Sequence, residues 1–170
     1  SAMHAVQWNH LRHHRHCMDD EDVEAMSARM PGWKALITGP QFPIRLHHAA
    51  LTMGKPRIKN WIYAELVAIA GMAILAFAVL DYAWLQYHVI AMVTGQCFSA
   101  FFAVWTVHHD CDRTHFIART LRNDVKSFVS YNMFYHVEHH LFPAVPTCHL
   151  PELSKRLDEV APELRSKNVW

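Results

Sequence analysis

Residues 61–80 read WIYAELVAIAGMAILAFAVL and residues 85–107 read LQYHVIAMVTGQCFSAFFAVWTV. The first run holds one charge, Glu65, and the second holds none. At about 1.5 Å per residue, twenty helical residues reach ~30 Å, the hydrocarbon thickness of a bilayer. A buried helical hairpin in a soluble core is the competing reading, but such charge-free lengths are rare there. Two transmembrane helices, 61–80 and 85–107, are therefore expected. Only Asp81, Tyr82, Ala83 and Trp84 separate them. So short a link forces an antiparallel hairpin, with both flanks leaving on the same membrane face.

The charges agree with that topology. Residues 1–60 carry eight Lys/Arg, residues 108–170 carry the other eight, and the link carries none. By the positive-inside rule both termini are cytoplasmic. Gln86, His88, Thr94 and Gln96 make the second span the more polar, so its polar face should point into protein. Gly95 and Ser99 form a small-xxx-small pair suited to close helix packing. Residues 31–60, with four prolines and three glycines, read as broken structure skirting the interface, with Trp33, Leu36 and Ile37 dipping in. The acidic stretch MDDEDVE at 18–24 reads as a solvated helix start or loop. Leu150, Leu153, Leu157 and Val160 recur at helical spacing behind Pro151, an amphipathic helix lying on lipid or on the protein's own core.

The chain has 170 residues, which suits one domain over 1–170. Apolar residues make up 52% and charged residues 18%, which excludes a disordered chain. A net charge of +1 argues against a nucleic-acid partner. Cys17, Cys97, Cys111 and Cys148 form no CxxC pair and read as reduced thiols. The unusual count is fifteen histidines against five glycines, which turns attention to metal chemistry.

Three histidine sets stand out. NHLRHH supplies His10, His13 and His14; VHHD supplies His108 and His109; YHVEHHLFP supplies His136, His139 and His140. Spacing i, i+3, i+4 puts three side chains on one helical face. Two such triads aimed at one place could supply six imidazole nitrogens, more than one tetrahedral site uses, which suggests two metal ions. The hairpin brings all three sets to one side of the membrane. Adjacent residues diverge by about 100° on a helix, so one of His108 and His109 should face the site. Each set also has a plainer reading. A triad can be an exposed helix face, and the 108–109 pair can sit favourably at the negative end of a helix. His16, His47, His48, His115 and His149 read as surface or supporting residues.

HLRHHRHCMDD resembles the second histidine box of the membrane fatty acid desaturase superfamily, and YNMFYHVEHHLFPAVP resembles its third, including the LFP-x-x-P tail. The resemblance implies an all-α integral membrane protein, a transmembrane helical hairpin with a cytoplasmic helical cap carrying the histidine boxes. It implies a di-iron, O2-dependent oxidoreductase that introduces a double bond into a fatty acyl chain. By match, His10, His13, His14, His136, His139 and His140 would be iron ligands, joined by a histidine between the boxes, His108 first and His109 second. Glu138 would support the ligands. The resemblance further implies an acyl lipid, acyl-CoA or acyl-carrier substrate and an external electron donor of ferredoxin or cytochrome b5 type. The block Arg113, Arg119, Arg122 and Lys126 could hold an anionic headgroup or form a solvated face. Nothing before His10 matches the family's earlier HxxxH box, so an N-terminally incomplete desaturase-like protein is expected. Two alternatives stay open: a hydroxylase or ketolase of lipids, alkanes or carotenoids on the same scaffold, and a non-catalytic metal-binding membrane fragment.

Overall fold

The computed structural model describes residues 1–113, 116–166 and 169, so His115 lies outside the described residues. These residues fold mainly as helices. Helix α1 (Met3–His16) buries Ala5, Asn9 and His13, one face at intervals of four. Alanines let it lie close to its neighbours: Ala2 and Ala5 pack with Ala50 and Ile62. Asn9 seals the contact by donating from Nδ2 to the Leu46 carbonyl at 2.8 Å.

The stretch expected to be broken is largely helical. A short 3-10 segment (Glu24–Arg29) leads into α2 (Gly32–Ile37) and α3 (Gln41–Met53). Its prolines fall at or near helix starts, where a missing N–H costs little, instead of interrupting helices. Pro31 and Pro40 precede α2 and α3, and Pro56 opens α4 (Pro56–Val79). Phe42 and Leu46 of α3 meet Ala100 and Val104 in one cluster.

Helices α4 and α5 (Ala83–His108) are the two candidate spans, with 24 and 26 residues. Against the sequence-read bounds, α4 starts five residues earlier and stops one earlier, and α5 gains two residues at its start and one at its end. At 1.5 Å per residue they run ~36 and ~39 Å, enough to cross a bilayer. Only 11% and 17% of their most apolar windows are buried within the chain. The core helix of a soluble protein would be mostly covered, so this exposure accords with a lipid setting. The polar face of α5 is divided: Gln96 accepts from the Ser1 hydroxyl at 2.5 Å, while His88 and Thr94 stay exposed. A side chain added at Gly95 would meet nothing within 4 Å, so the small pair at 95 and 99 serves no close packing among the described residues.

Residues 100–105 of α5 wind with π geometry just before His108, a feature frequent at functional sites because it re-aims the side chains beyond it. The chain then doubles back. Arg119 N–H reaches the Val107 carbonyl at 2.7 Å, and Leu121 N–H reaches that of Phe134 at 2.8 Å. Helix α6 (Asp124–Val129) is capped by the Asn123 side chain, which accepts from Lys126 N–H. Tyr131 and Asn132 take left-handed backbone angles in the turn ahead of α7 (His136–Leu141). Helix α8 (Leu150–Val160) lies on the protein, burying Leu150, Ser154 and Leu157. Val160 is left exposed, at the frayed end of the stripe.

Candidate metal centre

Seven histidines from three separate segments converge in two groups. The first comprises His13 of α1, His108 at the end of α5, and His136 and His140 of α7. His108 Nε2 stands 3.0 Å from both His13 Nε2 and His136 Nε2. His140 Nε2 stands 3.2 Å from those of His13 and His136. The second group comprises His10, His14 and His139, with Nε2 separations of 2.9 to 3.2 Å. Each triad therefore divides between the groups. On α1, His13 faces one and His10 and His14 the other; on α7, His136 and His140 face one and His139 the other.

His109 is not brought to either group. Its ring stacks on Trp105 at 4.0 Å between centroids, and its Nδ1 donates to the Trp105 carbonyl at 2.8 Å. The roughly 100° step between neighbours separates it from His108.

The imidazoles are oriented from behind. His13 Nδ1 lies 2.7 Å from Asp22 Oδ2, with both side chains only 1% exposed. His10 Nδ1 lies 2.9 Å from Glu24 Oε1. His108 Nδ1 donates to the Ile117 carbonyl at 3.0 Å. Asp22 and Glu24 belong to the acidic stretch read as solvated, and that reading is corrected: Asp22 is buried. No local pattern marked them, although two carboxylates shortly downstream of a histidine box are a usable signal. Burial works to raise the Asp22 carboxyl, but the His13 hydrogen bond and the backbone N–H groups of Ala25 and Met18 outweigh it and hold the group below the usual range.

Metal ligation fits this donor set. With Nδ1 of His13 turned to Asp22 and Nδ1 of His108 to the Ile117 carbonyl, the two Nε2 atoms face each other at 3.0 Å, and rings that donate from Nδ1 alone would oppose two lone pairs there. A cation between the nitrogens relieves that contact. Nitrogens about 2.1 Å from one ion and at right angles stand about 3.0 Å apart, close to the observed spacings. Four of the rings are shifted toward the neutral form that ligation needs. Burial, then His10, His139 and His13, lower His14 to about 3. Burial, then the neighbouring imidazoles, push His136 and His140 well down and lower His139 as well. His10 runs the other way: burial opposes its protonation, but the Glu24 hydrogen bond and charge raise its pKa.

Behind α7 lies a buried ionic group. Glu138 is fully buried, accepting from the Thr120 hydroxyl at 2.9 Å and lying 2.8 Å from Arg122 Nη2. Arg122 also pairs with Asp158 and donates to the Ser154 carbonyl at 3.1 Å. Arg113 pairs with Asp19 at 3.1 Å, and Arg119 meets Asp110 at 3.5 Å and the His109 carbonyl. All three arginines thus have carboxylate partners within the chain, Arg119 and Arg122 largely buried and Arg113 about half exposed.

Beside the histidines a cavity of ≈ 350 Å³ is lined by Val6, Ala103, Met133 and Leu150 and reaches His10, His136 and His139.

The arrangement is that of a helical protein with two apolar helices of membrane-spanning length and two histidine groups that could hold metal ions. The chain belongs to the fatty acid desaturase family, whose family model matches residues 2–167. No curated protein and no solved structure gave a match. Membership in this family points to a desaturase-like oxidoreductase, with a lipid substrate and a membrane setting.

Proposed function

We propose that this chain is an O2-dependent di-iron desaturase that introduces a double bond into a fatty acyl chain. The observation that carries the reading is the division of seven imidazoles into two adjacent Nε2 groups. His13, His108, His136 and His140 would hold one ion, and His10, His14 and His139 the other. Imidazole sets accept Fe, Zn, Cu or Ni, and the choice of iron rests on the family. When bound, the iron pair would supply the chemistry that removes hydrogen from two neighbouring unactivated carbons, with O2 as the oxidant and two further electrons from an external donor of ferredoxin or cytochrome b5 type, so that O2 leaves as water.

The protein's part is binding, orientation and exclusion of water. Val6, Ala103, Met133 and Leu150 offer apolar walls to an acyl segment and leave one side open to the histidines. Asp22, Glu24 and the Ile117 carbonyl hold His13, His10 and His108 in the tautomer that turns Nε2 inward. The depressed pKa of His14 keeps that ring neutral near pH 7. In the membrane, α4 and α5 form the hairpin, and the helices bearing the histidines form a cytoplasmic cap. The equal share of cations on the two flanks, with none in the link, supports that orientation.

The test is expression of the chain in membranes with an acyl-lipid supply and a reducing partner. Metal analysis should give two Fe per chain, and mass spectrometry should show a product two hydrogens lighter. His139→Ala should abolish turnover while the protein stays in the membrane fraction. One Zn per chain with no O2 consumption would overturn the assignment, and a product one oxygen heavier would move it to hydroxylation.

A further inference from the structure

Residues 31–60 contain five Lys/Arg (Lys34, Arg45, Lys55, Arg57 and Lys59) and no Asp or Glu. The fold gathers two of these cations at one cavity. Lys34 of α2 and Arg45 of α3 flank a pocket of ≈ 190 Å³ whose lining includes Thr38 and Gln41 and no acidic residue. Among the described residues Arg45 bonds uncharged partners, Gln41 Oε1 at 3.2 Å and Met26 Sδ at 3.8 Å. On its other side Arg45 borders a groove with Asp20 and Asp22, but these face Arg29 at 3.9 Å and His13 at 2.7 Å. No ion pair is formed by Lys34 or Arg45 among the described residues.

The same two helices expose Trp33, Ile37 and Ile44, at 67%, 69% and 69%. Water would be a poor solvent for this side of the molecule. Its position along α5 explains the mixture. A side chain added at Gly32 would lie 2.8 Å from the Trp105 ring, and one at Gly39 would lie 1.9 Å from the Cys97 carbonyl. Helix α2 and the turn after it are therefore seated directly against residues 97–105, within about 5 to 16 Å of the end of α5 along its axis. In a bilayer-spanning helix that stretch includes the boundary between acyl chains and headgroups. Helices lying in that boundary pair buried apolar residues with cations that meet anionic lipid.

We infer that the α2–α3 face is an anionic-phospholipid site, with Lys34 and Arg45 holding the headgroup phosphate in the pocket between the helices while Trp33, Ile37 and Ile44 enter the acyl region. The site rests on the membrane reading above but is independent of the metals. Its effect is to seat the cap, and with it the histidine groups, at a set height on the bilayer.

The experiment reconstitutes the full chain in bilayers of phosphatidylcholine mixed with phosphatidylglycerol, followed by mild extraction and native mass spectrometry of retained lipid. Wild type should retain phosphatidylglycerol in preference to phosphatidylcholine. Lys34→Gln/Arg45→Gln should reduce that retention about 30-fold, as expected for two cations near a charged surface. Lys34→Arg/Arg45→Lys, which keeps both charges, should retain it. Equal retention of the two lipids, or undiminished retention by the Gln pair, would overturn the inference. Displacement of the lipid by millimolar inorganic phosphate would assign the pocket to a soluble phosphate instead and overturn the lipid source. Recovery of the chain outside the membrane fraction would instead overturn the membrane reading beneath it.

Discussion

Arg122 Nη2 lies 2.8 Å from Glu138 Oε1, with the Glu138 side chain wholly buried and that of Arg122 16% exposed. Glu138 stands between His136 and His139 on a helix of only six residues, too short to hold its shape without packing. Arg122 ties that helix to α8 through Asp158 and the Ser154 carbonyl. Breaking a buried pair by removing one partner costs about 3–5 kcal/mol, because the other charge is left uncompensated. Arg122→Gln is expected to lower stability by about that amount and to release metal. Thermal unfolding in detergent and metal content of the same sample check both effects.

His108 and His109 are sequence neighbours with opposite surroundings. His108→Ala should reduce bound metal from two ions to one, since it removes a donor 3.0 Å from two others. His109→Ala should leave the metal content unchanged, because that ring stacks on Trp105. Elemental analysis of the purified variants distinguishes the two outcomes.

Asp22 meets His13 at Nδ1, on the side of the ring away from the Nε2 groups, and its carboxylate fixes that ring at 2.7 Å. Loss of such a supporting partner commonly costs about 10- to 100-fold in metal affinity. Asp22→Asn should show that loss in a chelator competition while the helical circular dichroism is kept.

Acid should weaken the metal-free protein. The folded pKa of His14, about 3, lies below its ordinary value of 6.5. The unfolded chain then binds the extra proton, so stability is complete above about 6.5 and falls as the pH drops toward about 3. His136, His139 and His140 are shifted in the same direction and add to the loss. His10, shifted upward, contributes in the opposite sense, and its share is lost as the pH rises through its folded value. Unfolding monitored between pH 7.5 and 4.5 should therefore show decreasing stability on acidification, and flat behaviour would contradict the buried, neutral rings.

Gly39 faces the backbone of α5. A methyl group there would stand 1.9 Å from the Cys97 carbonyl oxygen, which has no flexible end to move aside. Gly39→Ala should cost about 1–3 kcal/mol or more, as overpacking does, whereas Gly71→Ala should be tolerated, since that position meets nothing within 4 Å. Paired melting curves test the contrast.

Much of the centre was legible locally. The i, i+3, i+4 spacing brought His10, His13 and His14 to one helical side, and His136, His139 and His140 likewise. It did not show that each triad would be divided between two groups, because that depends on how α1 and α7 cross. The resemblance put His108 ahead of His109, but which of the two faces the group also depends on the winding of residues 100–105 just before them. The cations were undecided for a related reason: the carboxylates that meet Arg113 and Arg122, Asp19 and Asp158, lie 94 and 36 positions away in the chain.

The amino-acid order alone determined the helical class, the two long apolar helices and the residue types of the centre, because periodicity and run length act within a few turns of one helix. Which imidazole faces which, which carboxylate stands behind it and which cation remains unmatched were decided only by the folded chain. Those contacts join residues up to 129 positions apart, as His10 and His139 are, and no local pattern specifies how such segments approach.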